Sequence, residues 1–456
     1  EPSGQTHLLD GWDAFPLSQK AVLAGQIQAL DFPLLHELYA QAQRPIADHL
    51  DCEDISPMPF TLAVDHPQRE LWLEAGEALL AQGQVAALLV AGGQGSRLGF
   101  QGPKGAFRVG LPSGKSIFQL QAERLLRLRT LYGKSIPWCI MTSPLNHVDT
   151  VAHFAENEFF GLNPETVRFF PQSMLPALDR DGRILMDGPG QLALVPDGNG
   201  GCFRALAQSG SLNWLREQGV RFVFLYGVDN LLAKVCDPFF IGALACQSEY
   251  PCASKVVPKR SANEKVGIFA LRNGKPSVIE YSDLPSELRD RKNDDGSLAF
   301  DGANIATHLF RLEALRHLEN KPLPWHVASK KVVHWTPSQG RIDPQEPNAW
   351  KFEQFLFDAF PLLGGMQAFG VERRDEFAPV KNAVGDDSPA SARKLLGEMH
   401  LRWLRRADIS VKAKTLYEIA PRISYAGESL TPELFQRELG HHILPFPEGP
   451  ITPLES

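Results

Sequence analysis

The chain has 456 residues, 43 % of them hydrophobic and 22 % charged, and a formal net charge of -7. That is the balance of an ordinary globular protein with room for more than one structural unit, and a pI near 6.0 excludes a general polyanion binder, so neither nucleic acid nor an anionic membrane is expected as a partner. Six cysteines at 52, 139, 202, 236, 246 and 252 form no C-x-x-C pair, too sparse for a disulfide framework and suited to reduced thiols in the cytoplasm.

No apolar run approaches the ~18 residues that a membrane span needs. The chain opens EPSGQTHLLD, without the basic-then-apolar pattern of a signal peptide and without Met, the mark of a processed or truncated start. Residues 1–75 read as a helical segment. Ser18 to Leu30 and Phe32 to Gln43 carry apolar residues at helical spacing and no catalytic cluster, so a packing cap is expected. Residues 76–385 alternate strand-like and helix-like stretches, as an α/β domain should. Residues 386–456 read as a small C-terminal lobe, a helix from Ala390 to about Arg406 followed by short Pro-rich strands.

The stretch QVAALLVAGGQGSRLGFQGPKGAFRVGLPSGKSIFQ, residues 84–119, is the most informative. Val85 to Val90 has the apolar density of a strand buried on both faces. It breaks at Ala91 into Gly92, Gly93, Gln94 and Gly95, where glycine lets the backbone approach a ligand closely. Successive N–H groups in such a turn form an anion-binding concavity. From Ala78 to Ala122 there is no Asp or Glu, while Arg97, Lys104, Arg108 and Lys115 are all basic. A phosphate site is therefore expected. A Walker A loop fails, because Val109 stands where its first Gly should be, and Gly93, Gly95 and Gly99 are misspaced for a dinucleotide-binding loop.

Further along, Ser116 can cap a helix from Ile117 to about Leu131, and Trp138 to Thr142 and Val167 to Phe170 read as strands. The second leads into Pro171-Gln172-Ser173-Met174-Leu175-Pro176. Val195-Pro196-Asp197-Gly198-Asn199-Gly200-Gly201 packs three glycines into four residues, which implies a backbone lying close against something. A helix is expected from Phe203 to Gln218. Arg221 to Asn230 is a central strand ending at Asp229, where ligands of open α/β sheets bind. A carboxylate there can cap the next helix or hold Mg2+ against phosphates, and beside a basic loop the metal ligand is the preferred reading. Lys255 to Val257 and Val266 to Ala270 read as strands, and Asn273-Gly274 as a hairpin turn. His308 and the other histidines show no metal-ligand spacing. Phe352 to Phe360 has the pattern of an amphipathic helix.

Together these segments resemble the uridylyltransferases that make UDP-sugars, and in detail the eukaryotic-type UDP-N-acetylhexosamine pyrophosphorylases. The carriers are LVAGGQGSRLGFQGPKG, the FFPQSMLPA and PDGNGG segments, Val-Gly-Ile at 266–268, Ile-Glu-Tyr-Ser at 279–282, GANIATH at 302–308, PNAWK at 347–351 and RRDEFAPVKN at 373–382. The resemblance is dense over about residues 85–385. It implies a Rossmann-like nucleotidyltransferase fold, similar to glycosyltransferase A, with a mixed sheet and helices on both faces. It implies that Ala91, Gly92, Gly93, Gly95, Gln172 and Gly198 bind the nucleotide, and that Asn199, Gly267, Glu280 and Asn304 bind the sugar. Arg97, Lys104, Lys351 and Lys381 become the catalytic cations, with Mg2+ on Asp229. The chain departs from the family at Gly302-Ala303, where two small residues are exchanged, and at Thr307, where the family has Asn.

The function so implied is transfer of uridylyl from UTP to an N-acetylhexosamine 1-phosphate, giving UDP-GlcNAc or UDP-GalNAc and pyrophosphate, by a monomer or homodimer. The same reaction on glucose 1-phosphate or a broad set of sugars is one alternative, and a non-catalytic UDP-sugar-binding protein is another.

Overall fold

A computed structural model describes residues 4–44, 54–319, 321–412 and 415–447; Cys52 lies outside them. The chain divides into two compact units, residues 51–171, 203–320 and 360–456 in one and residues 1–50, 172–202 and 321–359 in the other.

The larger unit is built on a ten-stranded mixed sheet. In chain order its strands are β1 (Ile55–Pro57), β2 (Val85–Val90), β3 (Trp138–Thr142), β4 (Val167–Pro171), β5 (Phe222–Gly227), β6 (Cys252–Pro258), β7 (Ile268–Arg272), β8 (Lys275–Ile279), β9 (Gly302–Arg311) and β10 (Gln367–Gly370). The centre, β5-β2-β3-β4, is parallel. Its apolar strands, VAALLV, WCIMT and FVFLYG, are almost wholly buried, the composition that a sheet covered on both faces requires. The long β9 then runs antiparallel to both β5 and β6. Asn273 and Gly274 both take positive φ, 50° and 73°, in the β7–β8 hairpin, the conformation a two-residue turn demands.

Helices supply the crossovers. Ile117–Tyr132 begins where the Ser116 hydroxyl accepts the Gln119 N–H, and ends on Gly133 at φ 75°. The expected helix over 203–218 is two, Cys202–Gln208 and Ser211–Glu217, because Gly210 turns the chain at φ 74°. Arg69–Ala81 and Pro238–Ala245 cross at Gly76 and Gly242, where an added Cβ would come within 1.8 Å of the Pro238 carbonyl oxygen or 1.6 Å of that of Trp72. At the C-terminal end, the helix Pro389–Arg406 and the strand pair Tyr417–Ile419 with Ile443–Pro445 follow. Leu396, Trp403, Ile419 and Ile443 belong to the same apolar cluster as Val85 and Ile140.

The smaller unit carries the helices Leu17–Gln28 and Phe32–Ala42 and several short sheets. Leu8, Leu23, Leu35, Leu38, Ile184 and Phe352 fill its core. The expected helix over Phe352–Phe360 starts late: Ala349–Glu353 is a strand paired with His326–Lys330, Val327 opposite Phe352, and helical backbone begins only at Leu356, through Leu356–Asp358 and Ala359–Leu363. Cross-strand packing of Phe352 overrides the helical spacing. Among the described residues, no helix is long and apolar enough to cross a membrane.

Candidate active site

In the larger unit, the glycine turn leaves the carboxyl end of β2. The last sheet rung is the Ala91 N–H donating to the Met141 carbonyl at 2.8 Å. The chain then doubles back: Gly95 N–H donates to the Gly102 carbonyl, and Lys104 N–H to that of Gly93 at 3.1 Å. Gly95 has no room for a side chain, since a Cβ would sit 2.7 Å from the Phe100 ring. Gly93 and Arg97 are exposed at the rim, and a short turn, Ser96–Leu98, ends on Gly99 at φ 73°.

This fold-back delivers Lys104 to Asp229, Nζ to Oδ2 3.7 Å. Asp229 lies just past β5, which pairs with β2 residue for residue up to Gly227 opposite Val90. The third member comes from the far end of the chain. Val380 N–H donates to the Asp229 carbonyl at 2.9 Å, Asn230 bridges Pro379, and Lys381 follows directly. Burial pushes the Lys104 ammonium below its usual value; Asp229 opposes that shift, while Lys381 and Arg97 add to it. The glycine loop, Arg97, Lys104, Asp229 and Lys381 thus share one electrostatic neighbourhood.

Residues that the sequence left unremarked hold it together. The Asn230 amide donates to the Glu376 carbonyl at 2.7 Å and accepts N–H groups from Leu232 and Ala378. Behind it, Lys255, fully buried, donates to Asp237 at 2.6 Å and to both oxygens of Glu376 at 3.0 Å, with Lys234 3.1 Å from Glu376. Burial would raise the Asp237 carboxyl, yet Lys255 and Lys234 hold it below its usual value. Burial would likewise lower Lys234, and Glu376 and Asp237 hold it above. The charge run around 373–382 is therefore partly an internal ion cluster. Lys115, counted with the basic stretch, is occupied by the buried Glu123 at 2.7 Å.

The expected sugar residues of this unit come together. Asn304 N–H donates to the Gly267 carbonyl at 2.9 Å, and a Cβ on Gly267 would lie 3.2 Å from Glu280 Oε1. Asn304 Oδ1 accepts from Ala306 N–H at 2.9 Å; Ala306 takes φ 52° where β9 bulges against β6. His308 is buried against Ser254 Oγ at 2.8 Å, and burial pushes it down to about 3.

In the smaller unit, Gly198 and Gly200 lie against the backbone of Gln354 and Phe355, and Gly201 against the Asp197 carboxylate. Gly198, at φ 89°, would put a Cβ 2.4 Å from the Gln354 carbonyl oxygen, and Gly200 N–H donates to that same oxygen at 2.8 Å. Asn199 Oδ1 accepts from Leu356 N–H at 2.9 Å. Gln172 is buried, and Lys351 is half-buried on the strand Ala349–Glu353, opposite Ala328.

A glycine turn at the end of a parallel strand, with lysines and a carboxylate gathered beside it, defines a nucleotide-handling α/β protein. The sequence matches the model of the UTP–glucose-1-phosphate uridylyltransferase family over residues 32–440, and the chain belongs to that family. It is 37 % identical to UDP-N-acetylglucosamine pyrophosphorylase of Saccharomyces cerevisiae, over 94 % of each chain. It is 36 % identical to UDP-N-acetylglucosamine diphosphorylase 2 of Arabidopsis thaliana, over 94 % of this chain and 89 % of the relative. Among solved structures, the UDP-N-acetylglucosamine pyrophosphorylase of Trypanosoma brucei aligns with TM-score 0.80 and 30 % identity, over 95 % of this chain and 93 % of the other. A UDP-glucose pyrophosphorylase variant from Leishmania major shares the fold at TM-score 0.65 and 19 % identity, over 84 % and 80 %.

Proposed function

We propose that this protein joins UTP and N-acetylglucosamine 1-phosphate to give UDP-N-acetylglucosamine and pyrophosphate. The observation that carries the reading is the gathering of Arg97, Lys104, Asp229 and Lys381 at one glycine loop, in a chain whose relatives bear that activity in their names.

A phosphate oxygen of the sugar phosphate attacks the α-phosphorus of UTP in line. The new P–O bond forms as the bond to the β-phosphate oxygen breaks, and pyrophosphate departs. The attacking oxygen is already anionic, so no general base is required. Catalysis then reduces to positioning and charge neutralisation. Backbone N–H groups of the glycine loop hold the triphosphate, and Arg97 and Lys104 neutralise the departing pyrophosphate. Lys381 holds the sugar phosphate. The amide of Gln172, able both to donate and to accept, is of the kind that can read a uracil edge. Gly267, Glu280 and Asn304 take the sugar.

Among the described residues, no group of three or more His, Cys, Asp or Glu is arranged to hold a metal. Asp229, with its side chain 29 % exposed, offers a single carboxylate. That suits Mg2+, which takes one or two carboxylates and completes its shell with phosphate oxygens and water. When bound there, Mg2+ would supply neutralising charge to the phosphates. The enzyme is assigned to the cytoplasm, where buried thiols such as Cys139, Cys236 and Cys252 stay reduced.

The test is product formation from UTP with a series of sugar 1-phosphates in the presence of Mg2+. One UDP-sugar per pyrophosphate, with kcat/KM highest for N-acetylglucosamine 1-phosphate, is expected. Preference for glucose 1-phosphate would move the protein to the alternative substrate, and UDP-sugar binding with no turnover would make it a binding protein.

A further inference from the structure

Asn146 sits in the loop between β3 and the helix His147–Glu156, and only 1 % of it is exposed. Its amide makes four hydrogen bonds. Oδ1 accepts from Ser143 N–H at 2.8 Å and from Ser143 Oγ at 3.2 Å. Nδ2 donates to the Ala91 carbonyl at 3.0 Å and to the Gly93 carbonyl at 3.2 Å. The amide's whole bonding capacity is used, and half of it goes to the Ala91–Gly92 and Gly93–Gln94 peptides.

The β2–β3 ladder ends at Ala91, so beyond that point Asn146 substitutes for the missing rungs. In a planar trans peptide the C=O and the following N–H point in opposite directions. Drawing the Ala91 and Gly93 carbonyls back toward Asn146 therefore turns the Gly92 and Gln94 N–H groups the other way. The Gly93 carbonyl also accepts the Lys104 N–H at 3.1 Å, so the same latch fixes the backbone that carries Lys104. A neutral amide is the side chain suited to this position. An ionised carboxylate has no proton to donate to two carbonyls, and a buried cation would be costly.

We propose that Asn146 is the positioning residue of the phosphate loop, setting the peptide planes that bind the UTP phosphates. This rests on the reading of that loop as the UTP site. Freed of its latch, the loop samples other peptide orientations, and UTP pays for the reordering while the sugar phosphate does not.

The experiment compares wild type, Asn146→Ala, Ser143→Ala and Lys104→Ala, measuring KM for UTP and for N-acetylglucosamine 1-phosphate separately. Asn146→Ala is expected to raise KM for UTP about tenfold or more, the worth of two hydrogen bonds, with KM for the sugar phosphate within about twofold. Ser143→Ala, which leaves both loop contacts intact, should match wild type. If Asn146→Ala does not fold, Asn146→Ser, able to donate only once, carries the test and should raise KM for UTP several-fold over wild type. A folded Asn146→Ala or Asn146→Ser with the wild-type KM for UTP overturns the proposal alone, provided Lys104→Ala is impaired. A wild-type protein that does not use UTP overturns both this proposal and the reading beneath it.

Discussion

Lys104 Nζ and Asp229 Oδ2 stand 3.7 Å apart, each on a partly exposed side chain. One follows the glycine loop and the other ends a neighbouring strand, so the pair closes the site from two directions. In the free protein the two charges satisfy each other at modest strength, as partly exposed pairs do. In the proposed mechanism a triphosphate would offer Lys104 more negative charge than one carboxylate can, and its arrival would free Asp229 for a cation.

In the proposed mechanism the ammonium of Lys104 must be protonated to hold pyrophosphate. Burial, with Lys381 and Arg97 adding to it, lowers its pKa from 10.5 against the pull of Asp229. Activity is therefore lost as pH rises through a value below 10.5. The profile of kcat/KM against pH should show that alkaline limb, and in Lys104→Arg the limb should move to higher pH. An unchanged limb in the arginine variant would separate it from Lys104.

Lys255→Met removes the buried cation between Asp237 and Glu376. Breaking one side of a buried ion group typically costs about 3–5 kcal/mol, which denaturant unfolding will measure; a loss near zero would mean that Lys234 alone suffices. Asp237, depressed in the fold from 3.8, contributes stability that is present above that value and is lost as pH falls further. The variant should show a weaker acid dependence in this window.

Much of this site is legible in the chain because its parts are local. The glycine loop is announced by its own composition and by the missing acids around it, and Asp229 by the apolar run that ends there. Asn146, Asn230 and Lys255 are different. Each is a lone polar residue whose meaning is a partner far along the chain, such as Gly93, Ala378 or Glu376, and no local pattern encodes that. The glycines at 198–201 are readable as a close approach, but the neighbour of Gly198 and Gly200, the Gln354 backbone, is not. At Phe352 a helical spacing gives way to strand pairing with Val327, a choice made by tertiary contacts.

Gly198→Ala should destabilise the protein. The backbone there takes φ 89°, and the new Cβ would meet the Gln354 carbonyl oxygen at 2.4 Å. Strain of this kind costs about 1–3 kcal/mol, visible as a lowered Tm. An unchanged Tm would show that the turn opens freely.

Asn304 has its carboxamide oxygen committed to Ala306 N–H, so Nδ2 is the group available to a sugar acceptor. Asn304→Ala should raise KM for N-acetylglucosamine 1-phosphate about tenfold, in line with a hydrogen bond and the desolvated partner it leaves behind, while KM for UTP stays within about twofold. A rise confined to UTP would place Asn304 on the nucleotide instead.

The most direct test of the whole account is the turnover of Lys104→Ala, read as pyrophosphate released from UTP and N-acetylglucosamine 1-phosphate. Removing one fixed charge from the transferring phosphates should lower kcat about 100-fold or more, with the fold intact by circular dichroism. Turnover close to wild type would contradict the claim that the glycine loop, Lys104 and Asp229 form the phosphate site.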